Sequence, residues 1–195
     1  MKKLIVLFVF FISFYPTLLV AQKEYFNLDF EKTDTIGKSI VHWQYYYFGM
    51  GTKFIIDTTN AATGKNCLFI KKRRNNESGS YYIILPKTYY KGLRTIKISA
   101  NLKMTSFDTP NAGIWFEIKK NKNVLPYSNY YHSSEKAIAP FSWTPYSMEE
   151  TIEKDPDEVK IAIGVFKDRA WFDDIKIEIN GKPVNDLVFE IEPEK

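Results

Sequence analysis

Cysteine is almost missing from this chain. Its 195 residues contain one, Cys67, so no internal disulfide can form. The thiol sits in an apolar, strand-like run and reads as a small buried hydrophobe. Histidine is nearly as scarce. The two, His42 and His132, have no neighbouring cysteine or second histidine, which leaves no zinc-ligand spacing. Nothing positions either as the base of a serine or cysteine nucleophile. A Gly-x-Ser-x-Gly elbow, a His-Glu-x-x-His segment and a phosphate-binding glycine loop are absent. Paired carboxylates can hydrolyse a glycoside, but the Glu-x-Asp-x-x-Glu string that presents them along one strand is absent as well. These absences argue against an enzyme.

A large charge imbalance is also lacking. The formal charge is +4, and two of the lysines, Lys2 and Lys3, belong to an N-terminal leader without acids. The remaining charge of about +2 is too weak to suggest nucleic acid. The one basic run, Lys71 to Arg74, leads into Asn75 to Gly79 and reads as a solvated hairpin end. The leader continues with the apolar stretch Leu4 to Phe14, a break at Pro16, and Leu18 to Ala21. That is the build of a secretory signal peptide, residues 1–21. The run is short for a bilayer span of about 20 residues and contains a proline. No stable membrane span is therefore expected after cleavage, and the expected location is the periplasm or the cell surface. No cysteine follows the leader, so no lipoprotein anchor is expected.

Helical periodicity is missing too, and period-two alternation stands in its place. From Arg94 to Lys103, Ile96, Ile98, Ala100 and Leu102 face one way, with Thr95, Lys97, Ser99, Asn101 and Lys103 facing the other. Segments 112–119 and 158–166 repeat the pattern. Further strands are predicted at 25–31, 42–48, 53–58, 67–73, 80–85, 143–152 and 171–179. Turn-rich pieces such as Thr63 to Asn66 and Asn180 to Pro183 separate them. About ten short strands at this spacing imply an all-β antiparallel sandwich. There is no internal repeat and no linker rich in proline, glycine or serine. Residues 22–190 are expected to form a single domain, followed by a charged tail at 191–195.

Aromatic residues are plentiful at 16%, and several have the wrong strand parity for burial. Trp115 shares a face with Glu117 and Lys119, opposite Ile114, Phe116 and Ile118. On the companion strand the same parity gives Ala162, Gly164 and Phe166, small enough in part to leave a groove. Tyr127, Tyr130, Tyr131 and His132 lie in the following loop. Trp115 is then either an open platform for a sugar ring or packed beneath that loop. Trp43 reads as a plug at one end of the core.

The string Asn27-Leu-Asp-Phe-Glu31, then Trp43, Asp57 and Thr63-Gly-Lys-Asn-Cys-Leu68, resembles the opening of CenC-type carbohydrate-binding modules. Ile161 to Phe166 followed by Trp171-Phe-Asp-Asp-Ile175 resembles their last two strands. Ala112-Gly-Ile-Trp115, Trp171 to Asp174 and Glu178-Ile-Asn-Gly-Lys182 are similar to a jelly-roll domain found before the catalytic part of bacterial secreted tail-specific peptidases. Erythromycin-esterase-like proteins carry a similar domain. The resemblance covers nearly the whole chain after the leader and implies a galactose-binding-like sandwich of jelly-roll type. In similar modules a structural calcium sits between the first strand, the turn after the third and the last strand. Carried over, this implies Glu31, Asp57 and Asp174 as ligands, with carbonyls near Lys65. Asp173 replaces Asp174 if a bulge swaps the pair. Calcium takes six to eight oxygens in irregular geometry. The other reading of these residues is a metal-free net of carboxylate-to-amide hydrogen bonds. With the Trp115 platform, the resemblance implies a non-catalytic module for a glycan or cell-envelope polysaccharide, held by Trp115, Glu117, Tyr130, Tyr131 and His132. The alternative is a structural or protein-interaction domain without a sugar site.

Overall fold

The computed structural model describes residues 26–33, 42–48, 51–72, 78–105, 112–121, 123–124, 142–152, 155–166 and 168–187. Alternation becomes strand at 94–104, 112–120 and 158–165. In β5 (Arg94–Met104) one face is apolar beyond Arg94: Ile96, Ile98, Ala100, Leu102 and Met104 are all buried. The other strands are β1 (Gln44–Phe48), β2 (Lys53–Asp57), β3 (Cys67–Lys71), β4 (Ser78–Ile84), β6 (Ala112–Lys120), β7 (Asn123–Val124), β8 (Thr144–Ile152), β9 (Glu158–Val165), β10 (Arg169–Ile179) and β11 (Lys182–Pro183). Two short 3₁₀ turns, Lys87–Tyr89 and Val184–Asp186, complete the described elements.

The strands form two sheets, one ordered β1-β4-β9-β6-β7 and one ordered β2-β3-β10-β5-β8, with β11 paired to β10. Every pairing is antiparallel. Neighbours such as β4 and β9, or β3 and β10, are far apart in sequence, so the chain crosses repeatedly between the sheets. This is an antiparallel β-sandwich of jelly-roll type. Its core is one cluster. Leu68, Ile70, Ile98, Leu102, Phe172 and Ile177 from the second sheet meet Ile83, Ile114, Phe116, Ile161 and Ile163 from the first. Removing this much branched apolar surface from water is the main driving force for the fold.

Edge strand β8 carries an inward carboxylate. Glu150 lies opposite Ile96 in register, in line with Met148 and Ile152, and burial raises its pKa. An inward charge of this kind discourages pairing with a further strand.

The predicted strand at 25–31 does not form. Asn27 and Phe30 have φ of 53° and 59°, left-handed values that a strand cannot accommodate. Asn27 instead closes a turn: its Nδ2 donates to the Lys32 carbonyl at 2.7 Å and its Oδ1 accepts the Lys32 amide at 2.8 Å. The turn tucks Phe26, Leu28 and Phe30 into one end of the core. Trp43 plugs that end as expected. It is buried, packs on Phe30 at 5.5 Å between ring centroids and donates through Nε1 to the Asn27 carbonyl at 3.1 Å.

Among the described residues no helix is long and apolar enough to cross a membrane. The leader and the tail from 188 onward lie outside the described residues.

Candidate functional site

The rim carboxylates are drawn to donors rather than to one another. Glu31 Oε1 accepts the amides of Lys65 and Asn66 at 2.7 and 2.9 Å. Gly64 makes this approach possible. Its φ is +61°, and a Cβ there would lie 2.2 Å from Glu31 Oε1. Asp57 accepts the Thr59 amide and hydroxyl, Asn60 Nδ2 and Trp171 Nε1, all within 2.7–2.8 Å. Burial opposes its ionisation, but those bonds outweigh it and bring the carboxyl down to about 2.

In the last strand the buried carboxylate is Asp173, not Asp174, and the 58–66 loop covers it on the outer side of the sheet. The β10–β5 register shifts between Asp173 and Lys176, and Asp174 takes a φ of 49°. This bulge leaves Asp173 fully buried. Asp173 accepts the Ala62, Thr63 and Asp174 amides at 2.7, 2.9 and 2.7 Å. Burial raises its pKa, with those amides and the Asp174 charge as smaller influences of mixed sign. Asp174 turns to Asn101 Nδ2 at 3.4 Å and Lys176 Nζ at 3.1 Å.

This donor set does not fit calcium. Amide hydrogens, not carbonyl oxygens, face Glu31 and Asp173, and Lys65 contributes its N–H. Among the described residues no group of three or more His, Cys, Asp or Glu is placed to hold a metal ion. The net pins the 58–66 loop across the outer side of the second sheet.

A cleft of about 410 Å³ lies on the outer face of the other sheet, lined by residues of β1, β4, β6 and β9 and the adjoining Phe166. The register explains its shape. Tyr46, Ser80, Gly164 and Gly113 form one row across four strands, and Gln44, Tyr82, Ala162 and Trp115 form the next. Small residues on the two inner strands make the floor, and aromatic rings stand at both sides. Trp115 and Phe166 pack at 5.4 Å between centroids, tilted by 43°. Tyr46 is 60% exposed. Tyr82 is fixed from two directions: its hydroxyl donates to Gln44 Oε1 at 2.9 Å, and Lys160 Nζ stands 4.9 Å from its ring centre.

The polar side of the cleft is a four-residue charge network. Lys119 lies 3.0 Å from both Glu117 and Glu158, and Lys160 lies 3.4 Å from both. Hydrogen bonds to Glu158 and Glu117 raise the Lys119 pKa. Glu158 moves the other way: burial favours its neutral form, but Lys119 and Lys160 together hold it ionised. The network is self-neutral, and it fixes the Glu117 carboxylate one row away from Trp115.

Of the expected ligand-binding residues, Trp115 and Glu117 line this cleft together. Tyr130, Tyr131 and His132 lie outside the described residues. Tyr46, Ser80, Tyr82 and Lys160 were not anticipated. The pairs Tyr45-Tyr46 and Tyr81-Tyr82 put an aromatic on both faces of their strands, so parity alone cannot tell which ring faces out. Only register does.

No family model matches the sequence, and no curated protein matches it. The fold does have solved counterparts. The CBM22-1 xylan-binding domain of Paenibacillus barcinonensis Xyn10C is similar over 77% of this chain and 90% of that one, with TM-score 0.53 and 17% identity. The C-terminal family 22 carbohydrate-binding module of Clostridium thermocellum Xyn10B is similar over 80% and 97%, with TM-score 0.56 and 12% identity. The enzymatically active domain of bacteriophage CBA120 tailspike protein 4 is similar at TM-score 0.54 and 7% identity, over 78% of this chain but 21% of that one. These likenesses establish the sandwich fold that carbohydrate-binding modules use. At such identities they do not carry function across.

Proposed function

We propose that this protein is an exported, non-catalytic carbohydrate-binding module whose ligand lies across the cleft on the β1-β4-β9-β6 sheet. The observation that carries this reading is the grouping of Trp115, Phe166, Tyr82 and Tyr46 around a floor of Ser80, Gly164 and Ala162. Aromatic side chains offer large apolar area and suit the C–H face of a pyranose ring. Glu117, Lys160 and Ser80 supply acceptors and donors for hydroxyls beside that ring. The cleft volume falls in the ordinary range for a small-ligand site. The xylan-binding domain and the family 22 module among the solved neighbours support the class. The basic and apolar leader supports export.

The test is an affinity measurement against a panel of neutral polysaccharides, with soluble neutral xylan first. Trp115→Ala is expected to weaken binding by about 2 kcal/mol or more, roughly thirtyfold, as for a central aromatic anchor. Trp115 is partly buried and packs on Phe166, so the variant should melt lower than the parent, and binding is compared at a temperature where both are folded. No binding across the panel, or equal binding by the variant, would overturn the reading.

A further inference from the structure

The opposite face of the sandwich breaks a rule of sheet design. Lys53, Lys71 and Arg169 are directly opposed in register on β2, β3 and β10. Like charges placed opposite one another destabilise a sheet. Arg169 has Asp168 at 3.5 Å, and Asp168 is also held by the Thr105 hydroxyl at 2.6 Å. Among the described residues Lys53 and Lys71 make no ion pair, and both are exposed.

The next row on the same face is apolar. Ile55, Phe69 and Trp171 are aligned in register, followed by Lys103 on β5. Phe69 and Trp171 stack at 4.7 Å, Lys103 stands 5.3 Å from Trp171 and 5.9 Å from Trp143, and Ile55 is 45% exposed. A strip of ring edges and aliphatic carbon therefore runs beside a strip of cations, both across the strands. Violations of local rules collect where a protein binds something.

We infer that this face is a second site, separate from the cleft, for an acidic polysaccharide whose carboxylates meet Lys53, Lys71 and Arg169 while its rings lie along Ile55, Phe69 and Trp171. Neighbouring strands stand about 4.8 Å apart, so the cations repeat at an interval of the same order as successive rings of an extended polyuronate. The strip is too short to track a nucleic acid backbone. Arg169 can take a carboxylate through its paired donors, and the lysines act as point charges.

The probes are polygalacturonate and neutral xylan, each titrated against the purified protein, Trp115→Ala and Lys53→Gln/Lys71→Gln. Polygalacturonate should bind, weaken steeply with added salt, and lose about tenfold or more in the double lysine variant. It should bind Trp115→Ala as it binds the parent. Neutral xylan should show the reverse dependence, which keeps this test distinct from that of the cleft. The double variant should melt no lower than the parent, because it removes an opposed pair of like charges. No polygalacturonate binding, binding indifferent to the lysines, or binding lost with Trp115 would overturn the inference. So would binding to anionic-lipid vesicles, with the same lysine dependence, in place of polygalacturonate.

Discussion

An added Cβ at Gly164 would lie 2.5 Å from the Gly79 carbonyl oxygen and 2.8 Å from Trp115 Cη2. The indole thus lies over the only residue type that leaves it room, and Gly164→Ala tests the cleft floor directly. Overpacking of this kind costs about 1–3 kcal/mol. The variant should show a lowered melting temperature and weakened glycan binding. Asp57 carries a different prediction. Its pKa is depressed from 3.8 to about 2, so protons favour the unfolded chain. Its contribution is complete above about pH 4 and is lost as pH falls through about 2. Asp57→Asn should cost about 1–2 kcal/mol at neutral pH, after allowance for solvent screening. Relative to the parent, it should also flatten the pH dependence of unfolding between about pH 4 and 2. Asp173 acts with opposite sign. Its raised pKa makes its contribution improve as pH falls through the folded value, so the parent–variant difference is the quantity to read.

At the level of elements, legibility followed the clarity of alternation. β5, β6 and β9 could be read residue by residue, because one face is uniformly Ile, Val, Ala, Leu or Phe and the other polar. The 26–33 turn was misread because Phe26, Leu28 and Phe30 alternate like a strand while Asn27 and Phe30 take left-handed backbone angles. Period two measured burial there, not extension. The choice between Asp173 and Asp174 was equally invisible, since a bulge decides which of two identical residues is buried beneath the 58–66 loop. The carboxylate net makes its own prediction. Glu31 Oε1 accepts two amides and the Asp173 carboxylate three, so excess chelator should leave the melting temperature unchanged. Gly64→Ala, which denies Glu31 its place, should lower it. A chelator-induced drop of several degrees would instead mark a bound metal, on the scale expected when a ligand holds only the folded state.

For the molecule as a whole, one sandwich presents two unlike outer faces. The first has tyrosines, a tryptophan, a small-residue floor and a self-neutral charge network. The second has stacked rings beside Lys53 and Lys71, which make no ion pair among the described residues, with its other flank closed by the pinned 58–66 loop. Fold class was legible because it depends on many redundant apolar positions, whereas the cleft depends on register between β1, β4, β9 and β6, which no single strand encodes. The four tryptophans report on separate places: Trp43 in the core plug, Trp115 in the cleft, Trp143 and Trp171 on the opposite face. The most direct test of the central claim is therefore a set of indole N–H resonances followed by NMR during titration with a neutral xylo-oligosaccharide. The account predicts a saturable shift of the Trp115 signal, with Trp43, Trp143 and Trp171 unmoved. A Trp115 signal that stays in place across a panel of neutral oligosaccharides, or shifts confined to Trp143 and Trp171, would contradict it.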